Sequence, residues 1–391
     1  MPPTDYQGSF LGRISIRRNQ VASMDSEDLE DLDIFQRNIS DRFTDLLPDS
    51  SSDSPFLSVA WLCKLLDVYL CCEAEFKAVL ITGHDPSSLS KPPLDRLLPD
   101  LLDRCLKSLD ICNAVIHGID TLHHATSFAS IAAESLSRRP LSDGHVRRAR
   151  KALIALLAVL AAEEKEPSSA GAHRTTERNW SFGRRGGGSG SRAASGGAVV
   201  LPRPWGVGKN WSAAKQVQAM SANLVAPRGA ESGGIAIPVH VMSAVVVFVM
   251  WTLVAAIPCQ ERSGLATSLQ LPKQVVWAQG MTGLVEKIGE EWKRKEKKGG
   301  AGLMEELQKL EKVGQSLVEF AEGYKYPGEE EKVEEAGKQA EEMGEICRRM
   351  EEGLVPLQQQ IREVFHRIVR SRAGMLEASD HAAKVSAPPS M

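Results

Sequence analysis

The side chains best suited to bind a metal ion lie together in one stretch of predicted helix. His117, Asp120 and His124 follow one another at spacings of three and four residues, so they share one face of that helix. Imidazole and carboxylate groups are common zinc ligands, but structural zinc sites use four of them. The sequence offers no distant fourth ligand. We therefore interpret these residues as a polar patch within a helical bundle, and we expect no metal and no other cofactor.

Motifs of the common enzyme classes do not occur in this sequence. It lacks H-E-x-x-H, G-x-S-x-G and G-x-x-x-x-G-K-[ST], and the glycine run at 186–190 follows arginines and not a strand. Lys and Arg total 47 against 50 Asp and Glu, for a net charge of −3, which gives no support to a nucleic-acid-binding surface. We predict a protein that is not an enzyme, has no catalytic residues and has no nucleic-acid partner.

Two serines stand in a sequence context that basophilic kinases can use. Ser181 follows Arg178 by three residues, and Ser212 follows Lys209 by the same spacing. A phosphate at either serine could dock on an arginine cluster such as that of a 14-3-3 protein. The pattern is short and also occurs by chance. Ser181 and Ser212 are therefore candidate phosphorylation sites, with 14-3-3 as a conditional partner.

The cysteines and the N-terminus indicate a reducing compartment. The seven cysteines are odd in number and include no C-x-x-C pair, so a disulfide framework is not expected. The first residues contain no uninterrupted apolar segment of the secretory type. We predict a cytoplasmic protein without a secretory signal, and we expect membrane association on the basis of the apolar segment described below.

Apolar residues recur at helical spacing along most of the chain, which predicts an all-α fold. Residues 1–24 are interpreted as a disordered basic arm. An N-terminal helical bundle is expected over 25–165, with antiparallel helices near 27–47, 56–82, 99–137 and 143–163. Residues 166–210 are rich in Gly, Ser and Arg, so we expect a flexible linker there, with disorder across 165–208.

The C-terminal region, residues 211–391, carries heptad-like patterns at 303–324 and 333–370. Leucines and other apolar residues recur there at spacings of three and four, which gives a narrow stripe suited to packing between helices. One alternative is that the two helices pair with each other across the Pro327-Gly328 turn. The other alternative is an intermolecular coiled coil.

The most apolar segment of the chain is 239–257, which contains no Asp, Glu, Lys or Arg. As a helix its 19 residues would span about 28 Å, close to the hydrocarbon thickness of a bilayer. A membrane-spanning helix and the buried central helix of a bundle both fit this composition. We favour membrane association slightly, because ionised residues stop at Glu231 and resume at Glu261. The residues that define the candidate membrane segment are Val239, Val247, Phe248, Trp251 and Ile257.

Several sequence blocks resemble the Roh group of the BYPASS-related plant family. They are Asp5–Ser9, Gly12–Arg18, Arg174–Arg185, Asn210–Gln216 and Ala255–Cys259. The resemblance covers nearly the whole chain and implies no catalytic residues. It implies binding to exocyst tethering subunits and a role in polarised secretion of cell-wall or mucilage polysaccharide. It also implies a single membrane segment, in agreement with residues 239–257.

Two functional hypotheses follow. In the first, the chain is an adaptor that meets the exocyst at a membrane. In the second, it is a soluble cytosolic bundle with a signalling or structural role, controlled by phosphorylation of the linker. Both hypotheses need the same helical faces, so the sequence leaves them open.

Overall fold

The chain folds almost entirely into helices over the residues that the structure describes. This computed structural model describes residues 30–48, 55–81, 91–161, 211–222, 224–227, 234–259, 265–272, 275–296 and 302–386. No strand occurs within these ranges, and the prediction of an all-α fold with one strongly apolar helix is confirmed. The predicted basic arm 1–24 and flexible linker 166–210 lie outside the described residues.

Four helices form the N-terminal half of the described chain. They are α1 over residues 30–44, α2 over Val59–Ile81, α3 over Leu94–Ser137 and α4 over Asp143–Ala161. The predicted start of the third helix, residue 99, was wrong by five residues. Pro99 is the sixth residue of α3, where proline removes one helical hydrogen bond, and the burial of Leu94 and Leu98 offsets that loss.

Five further helices form the C-terminal half of the described chain. They are α5 over Ala213–Ala222, α6 over Ala236–Ala256, α7 over Gln279–Glu296, α8 over Glu305–Gly323 and α9 over Glu330–Ser386, with a short 3₁₀ turn at Val276–Ala278. The patterns at 303–324 and 333–370 correspond to α8 and α9, and α9 continues well beyond the predicted end. The two helices pack against each other within the chain, where the Ser316 hydroxyl donates to Gln339 Oε1 at 2.9 Å.

The predicted N-terminal bundle, 25–165, and the predicted C-terminal helical region, 211–391, pack against each other. The described helices of both regions belong to one compact unit. Helices α3 and α9 run antiparallel along each other: Arg139 Nη2 donates to the Val333 carbonyl at 3.3 Å, and Gln358 Nε2 donates to Asp120 Oδ1 at 2.9 Å. Helices of each half bury apolar residues against helices of the other half. Local sequence patterns do not reveal this packing, because the residues involved are distant in sequence.

Helix α6 forms the centre of this unit. It packs against α2, α3 and α5, and Phe248 also meets Phe43 of α1 edge to face, with ring centroids 5.4 Å apart. The approach to α3 is close because Gly118 lacks a side chain: a Cβ there would lie 2.2 Å from the Pro258 carbonyl oxygen. Valine disfavours helix in water, so a valine-rich helix gains its stability from such surroundings.

Candidate interaction surface

All five residues of the candidate membrane segment lie in the protein core. Each is 1 % exposed or less; they are Val239, Val247, Phe248, Trp251 and Ile257. Helix α6 is long and apolar enough to cross a membrane, but the core helix of a soluble protein has the same length and composition. The surrounding protein buries every residue of the helix except Ile237, which is partly exposed. The structure therefore supports the second interpretation of this segment, the central helix of a bundle.

The backbone carbonyls at the C-terminal end of α6 and the Trp251 indole form hydrogen bonds with other parts of the protein. The backbone N–H groups of Leu303 and Met304 donate to the carbonyls of Ala255 and Ala256 at 3.0 and 3.1 Å. The Trp251 indole, expected at a membrane interface if the helix spanned a bilayer, donates instead to the Ala266 carbonyl at 2.9 Å. The partners lie in the residues just before α8 and in the segment 265–272, and they fix the C-terminus of α6 inside the fold.

The imidazole of His240 is the titratable group within α6. Burial, and secondarily the nearby charge of Arg104, lowers its pKa to about 4. The ring packs edge to face on Trp277 with centroids 5.7 Å apart. His240 is therefore neutral near pH 7, and α6 remains an uncharged helix in an apolar setting.

A buried carboxylate joins the start of α8 to the start of α2. Glu306 accepts the backbone N–H of Val59 at 3.1 and 3.2 Å, while the Leu57 carbonyl accepts the N–H of Glu305 at 3.2 Å. Burial raises the pKa of the Glu306 carboxyl. The two residues that Glu306 connects are 247 positions apart. Sequence analysis missed this contact, since a Glu in the first turn of an amphipathic helix is ordinarily exposed.

Of the two candidate phosphorylation sites, only Ser212 lies among the described residues. Ser181 lies outside the described residues. Ser212 is buried and caps α5: its hydroxyl accepts the Lys215 N–H at 3.2 Å. A kinase would need that hydroxyl released from the cap, so phosphorylation of Ser212 stays a prediction that now carries a structural requirement.

The polar patch that was predicted inside the bundle lies instead at the surface of α3, so that prediction was wrong. His117 Nδ1 is 3.9 Å from Asp120 Oδ2, and both side chains are about half exposed. Asp120 also accepts the hydrogen bond from Gln358, so it connects α3 to α9. Within the described part of the chain, no group of three or more His, Cys, Asp or Glu side chains is arranged to hold a metal ion.

Exposed apolar side chains follow one flank of α9 and the neighbouring flank of α3. Val355, Val369 and Leu376 are 48, 42 and 37 % exposed, and their spacings of fourteen and seven residues place them on one side of the helix. Leu106 of α3 is 49 % exposed. We call these four residues the α3–α9 rim. Sequence patterns missed them because exposure depends on where the neighbouring helices end.

The part of α9 that lies alongside Leu106 can be inferred from Cys105, the residue before it in the chain. Burial raises the pKa of the Cys105 thiol to about 12, and the charge of Arg372 on α9 opposes that shift. Arg372 therefore lies close to Cys105. Because α3 and α9 run antiparallel, Leu106 must lie beside the part of α9 that carries Val369 and Leu376.

The rim has a basic border, whereas the other half of α9 is acidic. Residues 353–374 contain four Arg and one Glu, while residues 329–352 contain ten Glu and four Lys or Arg. Arg362 is exposed in the same row, seven residues from both Val355 and Val369. Arg370 is exposed next to Val369 and pairs with Glu363 at 3.2 Å. An apolar surface with a cationic border is suited to a partner segment that carries both apolar and acidic residues.

Comparisons with known proteins agree on one family. The family model described as Protein ROH1-like matches residues 1–379. The chain is 57 % identical to Protein ROH1A of Arabidopsis thaliana, over 99 % of each protein. It is 37 % identical to Protein ROH1D of the same plant, over 96 % of this chain and 98 % of the relative. No solved structure shows a significant match. From end to end, therefore, the chain belongs to the ROH1-like family of plant proteins.

Proposed function

We propose that this protein is a non-enzymatic adaptor that binds an exocyst tethering subunit and modulates polarised secretion of cell-wall or mucilage polysaccharide. Membership in the ROH1-like family supports the proposal, because the resemblance to that family implies exocyst binding. The α3–α9 rim is the single structural observation that carries it. Four large apolar side chains remain exposed there on two rigid, paired helices.

The rim is suited to hold a partner because its backbone is already fixed. Helix α9 is held between α2 and α3 by polar contacts on both flanks: Arg367 Nη1 lies 3.3 Å from Glu73 Oε2 on one side, and Gln358 contacts Asp120 on the other. A preformed helical surface loses little conformational entropy on binding. Arg362 and Arg370 beside it would select acidic flanks on the partner helix.

Substitution of the rim tests the proposal directly. Val369→Glu places a negative charge in the exposed apolar patch without touching the core. Binding of exocyst subunits to the purified chain, measured by calorimetry or pull-down, should weaken at least about tenfold, since central apolar contacts of an interface commonly contribute more than 1 kcal/mol each. The matched control is Ile34→Glu on α1, because Ile34 is 41 % exposed and lies on another helix.

The outcome distinguishes an interface from a general loss of fold. Both variants should keep the helical circular dichroism and thermal midpoint of the wild type. If Val369→Glu and Ile34→Glu bind exocyst subunits as tightly as the wild type, the rim is not the contact. If the wild-type chain binds no exocyst subunit, the proposed function itself is lost.

The burial of α6 favours one element of the alternative, a soluble cytosolic bundle controlled by phosphorylation. A chain whose apolar helix is already enclosed needs no bilayer to cover it. Carbonate extraction of plant microsomes tests this point: the protein should leave the membrane pellet. Retention in the pellet would instead support a membrane-inserted α6.

A further inference from the structure

A second exposed surface lies on α4, away from the α3–α9 rim. Helix α4 packs on α3 and α8 through a stripe that includes Val146, Leu153 and Leu156. The opposite side of the helix carries residues at helical spacing that are all exposed; they are Arg147, Arg148, Lys151 and Ile154. We call these four residues the α4 outer face.

This face is strongly cationic in a chain that is acidic overall. Residues 138–154 contain six Lys or Arg and one Asp, whereas the whole chain has a net charge of −3. Arg147 lies 3.5 Å from Asp143, a highly exposed pair that water screens. No ion pair with a described residue neutralises Arg148 or Lys151, although Arg148 lies near enough to Glu134 for their charges to interact.

The shape of the face selects the kind of partner. A single helix at the edge of a bundle is convex, and the four side chains project from its outer side. A peptide or a protein helix is usually held in a groove, which a lone convex helix does not provide. A flat anionic surface can meet all three cations together. Ile154, 47 % exposed at the end of the same face, can enter the interfacial region of a bilayer.

We propose that the α4 outer face adsorbs this protein to bilayer surfaces that contain anionic phospholipids. Arg147, Arg148 and Lys151 contact the lipid phosphates, and Ile154 inserts beside them. The attachment is peripheral, so α6 stays in the core and nothing crosses the membrane. The proposal does not rest on exocyst binding, because the rim and the α4 outer face share no residue.

Vesicle sedimentation with the purified full-length chain tests the proposal. The wild type should bind phosphatidylcholine vesicles that contain phosphatidylserine and should not bind vesicles of phosphatidylcholine alone. Raising the salt concentration should release it, since salt screens exposed charges. The triple variant Arg147→Glu, Arg148→Glu, Lys151→Glu should bind the anionic vesicles at least about tenfold more weakly, because each surface cation contributes about fivefold to such partition.

A second triple variant controls for net charge. Lys77→Glu, Lys287→Glu and Lys293→Glu change the charge by the same amount at exposed positions on α2 and α7. This variant should bind anionic vesicles nearly as the wild type does, and all three proteins should share one thermal midpoint. Ile154→Ser should weaken vesicle binding by a smaller factor than the charge reversals.

Four results would overturn the proposal. They are no binding of the wild type to anionic vesicles, equal binding to neutral vesicles, equal loss in both triple variants, and no loss in the α4 variant. A variant that keeps vesicle binding but loses capture of exocyst subunits would assign the α4 outer face to an acidic protein instead. Exocyst binding by the α4 variant should otherwise match the wild type, so this proposal and the proposed function fail separately.

Discussion

Helices α6 and α9 are both essential to the fold, and they use opposite sequence patterns. Helix α6 has 21 residues without an ionised Asp, Glu, Lys or Arg, and the protein encloses it on every side. Helix α9 has 57 residues, buries one stripe that includes Leu357 and Ile361, and exposes charged residues on the rest of its surface. A helix buried all round carries no information about which neighbour it meets, whereas an amphipathic helix marks its own core face.

Helices α6 and α9 therefore have different roles in the protein. All residues of α6 except Ile237 are buried, so the helix offers almost no surface to a protein partner. The outer flank of α9 is exposed and rigid, so it can be altered without disturbing the core. Substitutions of similar chemistry should therefore change the free energy of unfolding strongly in and around α6 and weakly on the outer flank of α9.

The largest effect is expected from a charge at the centre of α6. Val247→Arg places an unpaired guanidinium in a fully buried position, which should cost more than about 4 kcal/mol and leave the protein unfolded or aggregated. Val355→Arg on α9 is the matched control, because Val355 is half exposed, and its free energy of unfolding should change by less than about 0.5 kcal/mol. Chemical denaturation measures both. A folded Val247→Arg variant with a normal midpoint would contradict the buried position of α6.

A smaller effect is expected where α3 approaches the end of α6. Gly118→Ala introduces a methyl group 2.2 Å from the Pro258 carbonyl oxygen, so the helices must separate, at a cost of about 1–3 kcal/mol. Gly374→Ala on α9 meets nothing within 4 Å and should stabilise the protein by about 0.5–1 kcal/mol, since alanine favours helix. Thermal unfolding should therefore shift in opposite directions. Equal shifts would mean that α3 and α6 are not packed as closely as the structure indicates.

The smallest expected effect is the change with pH in the free energy of unfolding that the Glu306 carboxyl contributes. This group binds the start of α2. Its folded-state pKa is raised above the ordinary 4.5, so between 4.5 and the raised value the folded state binds more protons than the unfolded state. The free energy of unfolding should therefore fall as pH rises through that window and stay constant above it. Glu306→Gln keeps an acceptor for Val59 and should remove this slope. Glu306→Ala leaves the buried N–H unpaired and should cost about 1–3 kcal/mol.

The matched comparison for Glu306 is an exposed carboxylate on α9. Hydrogen bonding to Arg348 lowers the pKa of Glu345, which lies at the surface. Glu345→Ala should leave the denaturation midpoint unchanged within error. If Glu306→Gln retains the full pH slope of the wild type, the group responsible for that slope lies elsewhere.

Local sequence patterns were sufficient to identify most helices. The stripes of α2, α4, α8 and α9 predicted their positions, because each of these helices buries one face and leaves the other in water. The start of α3 was missed at Leu94, since Pro99 is a usual sign of a helix boundary. The family could also be identified from short sequence blocks. The rim and the Glu306 contact could not be predicted, because both depend on residues distant in sequence.

The sequence by itself determined that residues 239–257 form an uncharged helix that must avoid water. Composition and length cannot say whether lipid or protein covers such a helix, since valine side chains gain similar free energy in either environment. In the tertiary structure, protein covers this helix. The backbone N–H groups of Leu303 and Met304 donate hydrogen bonds to carbonyls at the end of α6. The absence of a side chain at Gly118 lets Pro258 approach α3 closely, and the ring of Phe43 packs on that of Phe248. Protein that covers α6 buries its apolar surface and provides its terminal hydrogen bonds, and these contacts join residues that are distant in sequence.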